Sequence, residues 1–166
     1  MRYFPLLYRH NAEDRYLIWI SNESDRVLTD NRGVGLTFKD SKSVQSYADA
    51  NHYELEREEP KRHDLDWVTT WLKDVRMPVD CREALAAWNL FSDIARSIGE
   101  GSGCFTRLDT QFPKIYDKLF WGNNLPSMTP EGCHFEPEWS PQELTTLAEV
   151  LGAGLEMFRK QTGLLQ

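Results

Sequence analysis

Several common signals are missing from this chain. No apolar run approaches the roughly 20 residues that a membrane-spanning helix requires. The opening Met1-Arg2-Tyr3-Phe4-Pro5 leads straight into a strand-like pattern. It has no long apolar core and no small-residue cleavage site, so no secretory leader is expected. Cysteines are few: Cys81, Cys104 and Cys133 are odd in number and widely spaced, with no C-x-x-C. That spacing supports neither a zinc ribbon nor a redox pair, and reduced thiols of a cytosolic protein are expected. Asn22-Glu23-Ser24 matches a glycosylation acceptor, but without a leader it is read as chance.

Catalytic signatures are missing as well. The chain contains no G-x-x-x-x-G-K-[ST], G-x-G-x-x-G, G-x-S-x-G or H-E-x-x-H. Arg32-Gly33-Val34-Gly35 lacks the spacing of a phosphate loop. His10, His52, His63 and His134 are scattered over expected loops and element ends. His63-Asp64-Leu65-Asp66 carries suitable metal ligands, but these residues stand at a helix start, where capping explains the carboxylates. Cys133 and His134 are chain neighbours, which rarely face each other as a nucleophile and its base. The 26 acidic residues single out no pair for glycoside chemistry. No cofactor, metal or catalytic residue is assigned, and an enzyme with an unrecognised site stands as the minor alternative.

What is present begins with size and charge. A chain of 166 residues suits one domain and buries about 70% of its unfolded surface, so it needs no disulfide or metal for stability. Its net charge of −7 disfavours nucleic acid and anionic membranes as direct partners. It suits a basic protein partner, or it is ordinary solubility charge.

Periodicity organises the chain into an α+β fold, with residues 1–60 mostly a small antiparallel sheet and 64–166 mostly helical. Residues 2–8 and 15–20 read as a hairpin joined by Arg9–Asp14. Residues 31–38 alternate at Val34, Leu36 and Phe38 and predict a third strand. Residues 40–50 predict a helix capped by Asp40 or Ser41. Residues 52–58 alternate strictly and predict a fourth strand. A helix over 64–75 has Asp64 as its cap and Leu65, Val68 and Leu72 inward. A longer one over 80–99 carries an Ala84, Trp88, Phe91, Ala95, Ile98 stripe and capping-box spacing at Asp80 and Glu83. "EGSG" (100–103) reads as a connector. Pro113 suggests that the helix within 107–121 starts between Thr110 and Pro113, with Ile115, Leu119 and Phe120 inward. Ser140, Pro141 and Glu143 start a helix over 140–163. Its stripe is Leu144, Leu147, Leu151, Leu155 and Phe158, and Gly152 and Gly154 suggest close helix packing. Gly122 has the place of a C-terminal glycine. The connection Asn123–Trp139 is long, so it is either functional or pinned by Trp121, Leu125, Met128, Phe135 and Trp139.

The densest charge lies in "ELEREEPKRHDLD" (54–66). On a strand, Glu54, Glu56 and Glu58 would form a carboxylate row at about 6.6–6.8 Å spacing. Glu59, Asp64 and Asp66 would extend it. The row is either a solvated strand face, an edge charged against aggregation, or a docking surface for a cationic partner. Trp121, Asn123 and Asn124 form a secondary candidate surface, an aromatic anchor beside adaptable amides.

"YLIWIS", "HDLDWVTTWL", "AWNLFSDIARSIG", "YDKLFWGNNLPSMTPEG" and "WSPQELTTLAEVLGAGLEMF" together resemble CdiI-type immunity proteins of contact-dependent growth inhibition and related polymorphic toxin systems. The likeness spans most of the chain. It implies a bacterial cytoplasmic protein that binds one cognate toxin domain, often a nuclease, and covers its active site. No functional residue carries over by motif. The alternative is a non-catalytic adaptor with a different protein partner.

Overall fold

The computed structural model describes residues 1–99 and 103–163. An antiparallel hairpin of β1 (Arg2–His10) and β2 (Glu13–Ser21) is its centre. Two short strands flank it, β3 (Arg26–Val27) beside β2 and β4 (Arg62–Asp64) parallel to β1, in the order β3-β2-β1-β4. Six helices follow the α+β expectation: α1 (Ser41–Ala50), α2 (Leu65–Lys73), α3 (Cys81–Ile98), α4 (Cys104–Asp109), α5 (Pro113–Gly122) and α6 (Pro141–Gln161).

The hairpin loop is shorter than the sequence suggests. Only Asn11 and Ala12 turn the chain, both with positive φ (54° and 60°). That is the two-residue turn whose twist matches a hairpin, although alanine is a costly occupant of a left-handed position. A carboxylate offsets the cost: Asp66 accepts the Asn11 and Ala12 amides at 2.7 and 2.8 Å.

Two expected strands do not form. Residues 31–38 reverse sharply instead, with Gly33 at φ 79° and single bridges at Thr29–Gly35 and Tyr16–Phe38. The Gly35 amide donates to Gln161 at the end of α6, so backbone that would have paired in a ladder pins a loop. Residues 52–58 make one bridge, Leu55 to Tyr3, and the Glu56 amide donates to Tyr3. The cause is Pro5, which has no N–H to continue a ladder. Pairing with β1 resumes at Leu7–Arg62, four residues beyond Tyr3 but seven beyond Leu55, so residues 57–60 bulge outward. The fourth strand is therefore Arg62–Asp64, not 52–58.

Alternation sorts the hairpin into two faces. Leu6, Tyr8 and His10 are buried on the face that meets α6, where the Tyr8 and Phe158 rings lie 5.0 Å apart. Ile18 and Ile20 belong to the other face. They lie outside the main core, as do the buried Val44 and Ala48 of α1, which packs on β2.

Local signals set the helix ends. Asp40, Asp64 and Asp80 cap α1, α2 and α3, and α6 has the full Ser140–Glu143 capping box. Pro113 opens α5, within the expected start between Thr110 and Pro113, and residues up to Asp109 form the separate helix α4. The 100–103 connector lies outside the described residues apart from Gly103. In α2 Leu65 and Val68 are buried as expected, but Trp71 rather than Leu72 is the third buried residue; its indole donates to the Met77 carbonyl. Trp88 is fully buried and donates to Asp109 at 2.6 Å, an acceptor it shares with Ser92.

The bare backbone of α6 at Gly154 lies directly against the Phe91 ring of α3. A methyl at Gly154 would sit 2.2 Å from the Phe91 ring, whereas one at Gly152 would meet nothing within 4 Å. The two glycines therefore differ in sign. Gly154→Ala overpacks and is expected to cost about 1–3 kcal/mol, while Gly152→Ala is expected to add about 0.5–1 kcal/mol of stability. Urea denaturation of both variants tests this; equal effects would refute the packing assignment.

Candidate partner-binding surface

The predicted acidic row breaks up when its residues are placed. Glu54, Glu58 and Glu59 are exposed and Glu56 is half-buried, but they lie on the bulged segment rather than on one strand face. Arg57, Lys61 and Arg62 interleave with these four glutamates and are also exposed, which leaves little net charge over 54–62. Asp64 is committed to the α2 N-terminus, where it accepts the Asp66 and Trp67 amides at 3.1 and 3.0 Å. Asp66 is committed to the hairpin turn, as an anion held by consecutive backbone amides. Both residues do structural work inside the chain.

The second candidate, Trp121, Asn123 and Asn124, divides into an exposed ring and two loop-closing residues. Gly122 is the last residue of α5, and the left-handed position is Asn124, with φ 48°. Gly122 is small because a methyl there would press on Cys81 Sγ at 2.5 Å and on Pro137 at 2.7 Å. The Asn124 side chain donates to the Gly122 and Phe135 carbonyls and accepts the Phe135 amide at 2.7 Å. It ties the two limbs of the long connection together. At the far end Lys118 donates to Glu138 and Glu143 and stands 5.2 Å from the Trp139 ring centre, while Trp139 packs on the core.

The loop is thus pinned by amide, lysine and one tryptophan. The other four apolar side chains proposed as pins are exposed: Trp121 by 48%, Leu125 by 36%, Met128 by 50% and Phe135 by 45%. They belong to one tied stretch of backbone: the Asn124 amide donates to the Trp121 carbonyl, the Asn124 side chain donates to the Phe135 carbonyl, and the Met128 amide donates to the Leu125 carbonyl. The other five tryptophans are buried or half-buried, so Trp121 stands apart. Asn123 serves as the α5 C-cap through its backbone.

A charge asymmetry surrounds this loop. From Leu119 to Phe158 the chain has six glutamates and neither lysine nor arginine. Glu131, Glu136, Glu138, Glu149 and Glu156 are exposed; Glu143 is paired with Lys118 at 2.6 Å. A running charge count along the sequence finds this stretch, whereas a search for dense charge finds 54–66 instead.

Elsewhere the ionisable groups are held by their own neighbours. A groove of about 660 Å³ beside β4 is lined by Asp14, Asp64 and Glu83 together with Lys61, Arg62 and Arg82. Its His63 ring is buried, with Nδ1 3.2 Å from the Ala86 carbonyl. His10 accepts from Arg159 Nε at 3.2 Å, which leaves Nε2 unprotonated, and its Nδ1 lies 3.9 Å from Asp66. Burial, then the Arg159 charge, lowers the His10 pKa, and burial lowers that of His63. Burial pushes the Cys81 thiol up to about 11 and the Asp93 carboxyl up to about 6.

No family model, no curated protein and no solved structure matches this chain.

Two outcomes follow from these placements. Asn124→Ala is expected to expose the Phe135 amide to exchange and cost about 1–2 kcal/mol; retained protection at Phe135 would refute the tie. Both histidines bind a proton more weakly folded than unfolded, so acid favours the unfolded chain and stability drops as pH falls below about 6.5. Asp93 works in the opposite direction through about 6. The His63→Asn variant should therefore show a shallower loss of stability between about pH 7 and 5 than the parent; an unchanged slope in urea titrations would refute the assignment.

Proposed function

We propose that this chain is an immunity-type inhibitor: a cytoplasmic protein that binds a cationic toxin domain, in particular a nuclease, and blocks its active site without chemistry of its own. One observation carries this reading, the cation-free stretch from Leu119 to Phe158 with its exposed glutamates on the long loop and α6. A nuclease groove is lined with lysine and arginine to hold phosphates. A one-signed acidic surface attracts such a groove and competes with its substrate. The resemblance of the chain to CdiI-type immunity proteins supports the same reading. In this account the electrostatic contribution moves from residues 54–66, where bases interleave with the acids, to the loop and α6.

The first test is whether an adjoining reading frame encodes a toxin domain; its absence would count against the proposal, and where it is present that domain is used with its catalytic residue inactivated for binding and intact for activity. The parent protein is expected to abolish nucleic-acid cleavage at equimolar ratio. Association should slow at least about 10-fold when Glu131, Glu136 and Glu138 are changed to lysine, with a shallower salt dependence. The matching change of Glu54, Glu58 and Glu59 should have a smaller effect. Undiminished cleavage, or turnover of substrate by the purified chain itself, would overturn the proposal.

A further inference from the structure

Charge explains attraction but not the four apolar side chains that the loop holds in solvent. Exposed apolar residues are ordinary when scattered, and informative when clustered and ordered. Here the backbone beneath them is built with care. Asn124 takes a left-handed conformation, binds both limbs of the loop, and leaves Trp121, Leu125, Met128 and Phe135 outside. Gly122 closes the base of the loop against Cys81 and Pro137. Such a surface is ordered before any partner arrives, so binding pays little to immobilise it.

We infer that this loop is the docking epitope, and that Trp121, Leu125, Met128 and Phe135 seat in an apolar cleft of a cationic protein whose rim carries lysine and arginine. The assignment rests on the inhibitor reading above and names where that inhibitor binds. Charge selects the occupant. Glu131, Glu136 and Glu138 lie on the same loop, all exposed, and no lysine or arginine is present between Lys118 and Arg159 to balance them. A second copy of this chain would bring the same glutamates face to face, and the whole chain carries −7. A cationic rim pairs with them instead. An exposed tryptophan, methionine and phenylalanine on a stretch that also carries three exposed glutamates match the composition of an interface centre and its rim.

The two contributions separate kinetically: rim charge acts on association and buried apolar anchors act on dissociation. The experiment measures both constants for this chain against the inactivated toxin domain of the functional test above. Met128→Asp and Phe135→Ser lie at exposed positions, and thermal melts check that each variant remains folded. Each is expected to speed dissociation at least about 30-fold while leaving association within about threefold. Parent-like dissociation in both variants, with the parent binding tightly, would overturn the epitope and leave the inhibitor reading standing. No binding by the parent would overturn both. Sedimentation of the chain alone should show a monomer; a dimer dispersed by Met128→Asp would assign the patch to self-association and overturn the inference.

Discussion

The fold hinges on one contact, the Phe91 ring lying against the bare backbone of Gly154. It brings α3 and α6 together more closely than any pair of side chains would permit. With that spacing set, α6 presents Phe158 to Tyr8 on the sheet, and α3 presents Trp88 to Asp109 at the end of α4. The sheet, the two long helices and α5 therefore share one core, in which Trp71, Trp88, Phe91 and Phe158 are fully buried. Large rings are the bulkiest fully buried side chains, and glycine supplies the room for one of them.

A second theme is the use of acidic residues as internal fasteners. Asp64 and Asp80 hold helix amides, Asp109 holds a buried indole, and Asp66 holds two amides of a strained hairpin turn. In each case the carboxylate satisfies donors that would otherwise be lost to water or left unpaired. Carboxylates spent in this way are poor candidates for docking. The longest stretch of chain with acids and no lysine or arginine, Leu119 to Phe158, belongs to the long loop and α6. Elsewhere internal bonds occupy some acids, and bases interleave with others along the chain.

The long connection between α5 and α6 shows the same economy. It contains no repeating structure, yet it is closed at its base by Gly122, tied across by Asn124 and anchored at its end by Lys118 and Trp139. A loop so constrained, with its apolar residues outward, behaves as a rigid surface and not as slack between helices. The side chains that hold that surface together differ from the apolar ones it exposes, so the two sets can be altered separately.

Much of the architecture is legible in the chain alone, for a local reason. Caps such as Asp40, Asp64 and Asp80, the Ser140–Pro141–Glu143 start and Pro113 act within one helical turn of where they stand, so reading them requires no knowledge of distant residues. The hairpin is likewise a neighbour pairing. Residues 31–38 and 52–58 misled because alternation describes only side chains, whereas a strand needs a partner backbone with free donors. Pro5 withheld one donor, and Gln161 claimed the Gly35 amide. For Asp66 the deciding contact lies 54 or 55 residues away, and for Trp121 against Trp139 the sequence contains no term for which ring finds a core to cover it. Only packing in three dimensions assigns those roles, because burial and hydrogen-bond partnership are properties of the neighbours and not of the residue.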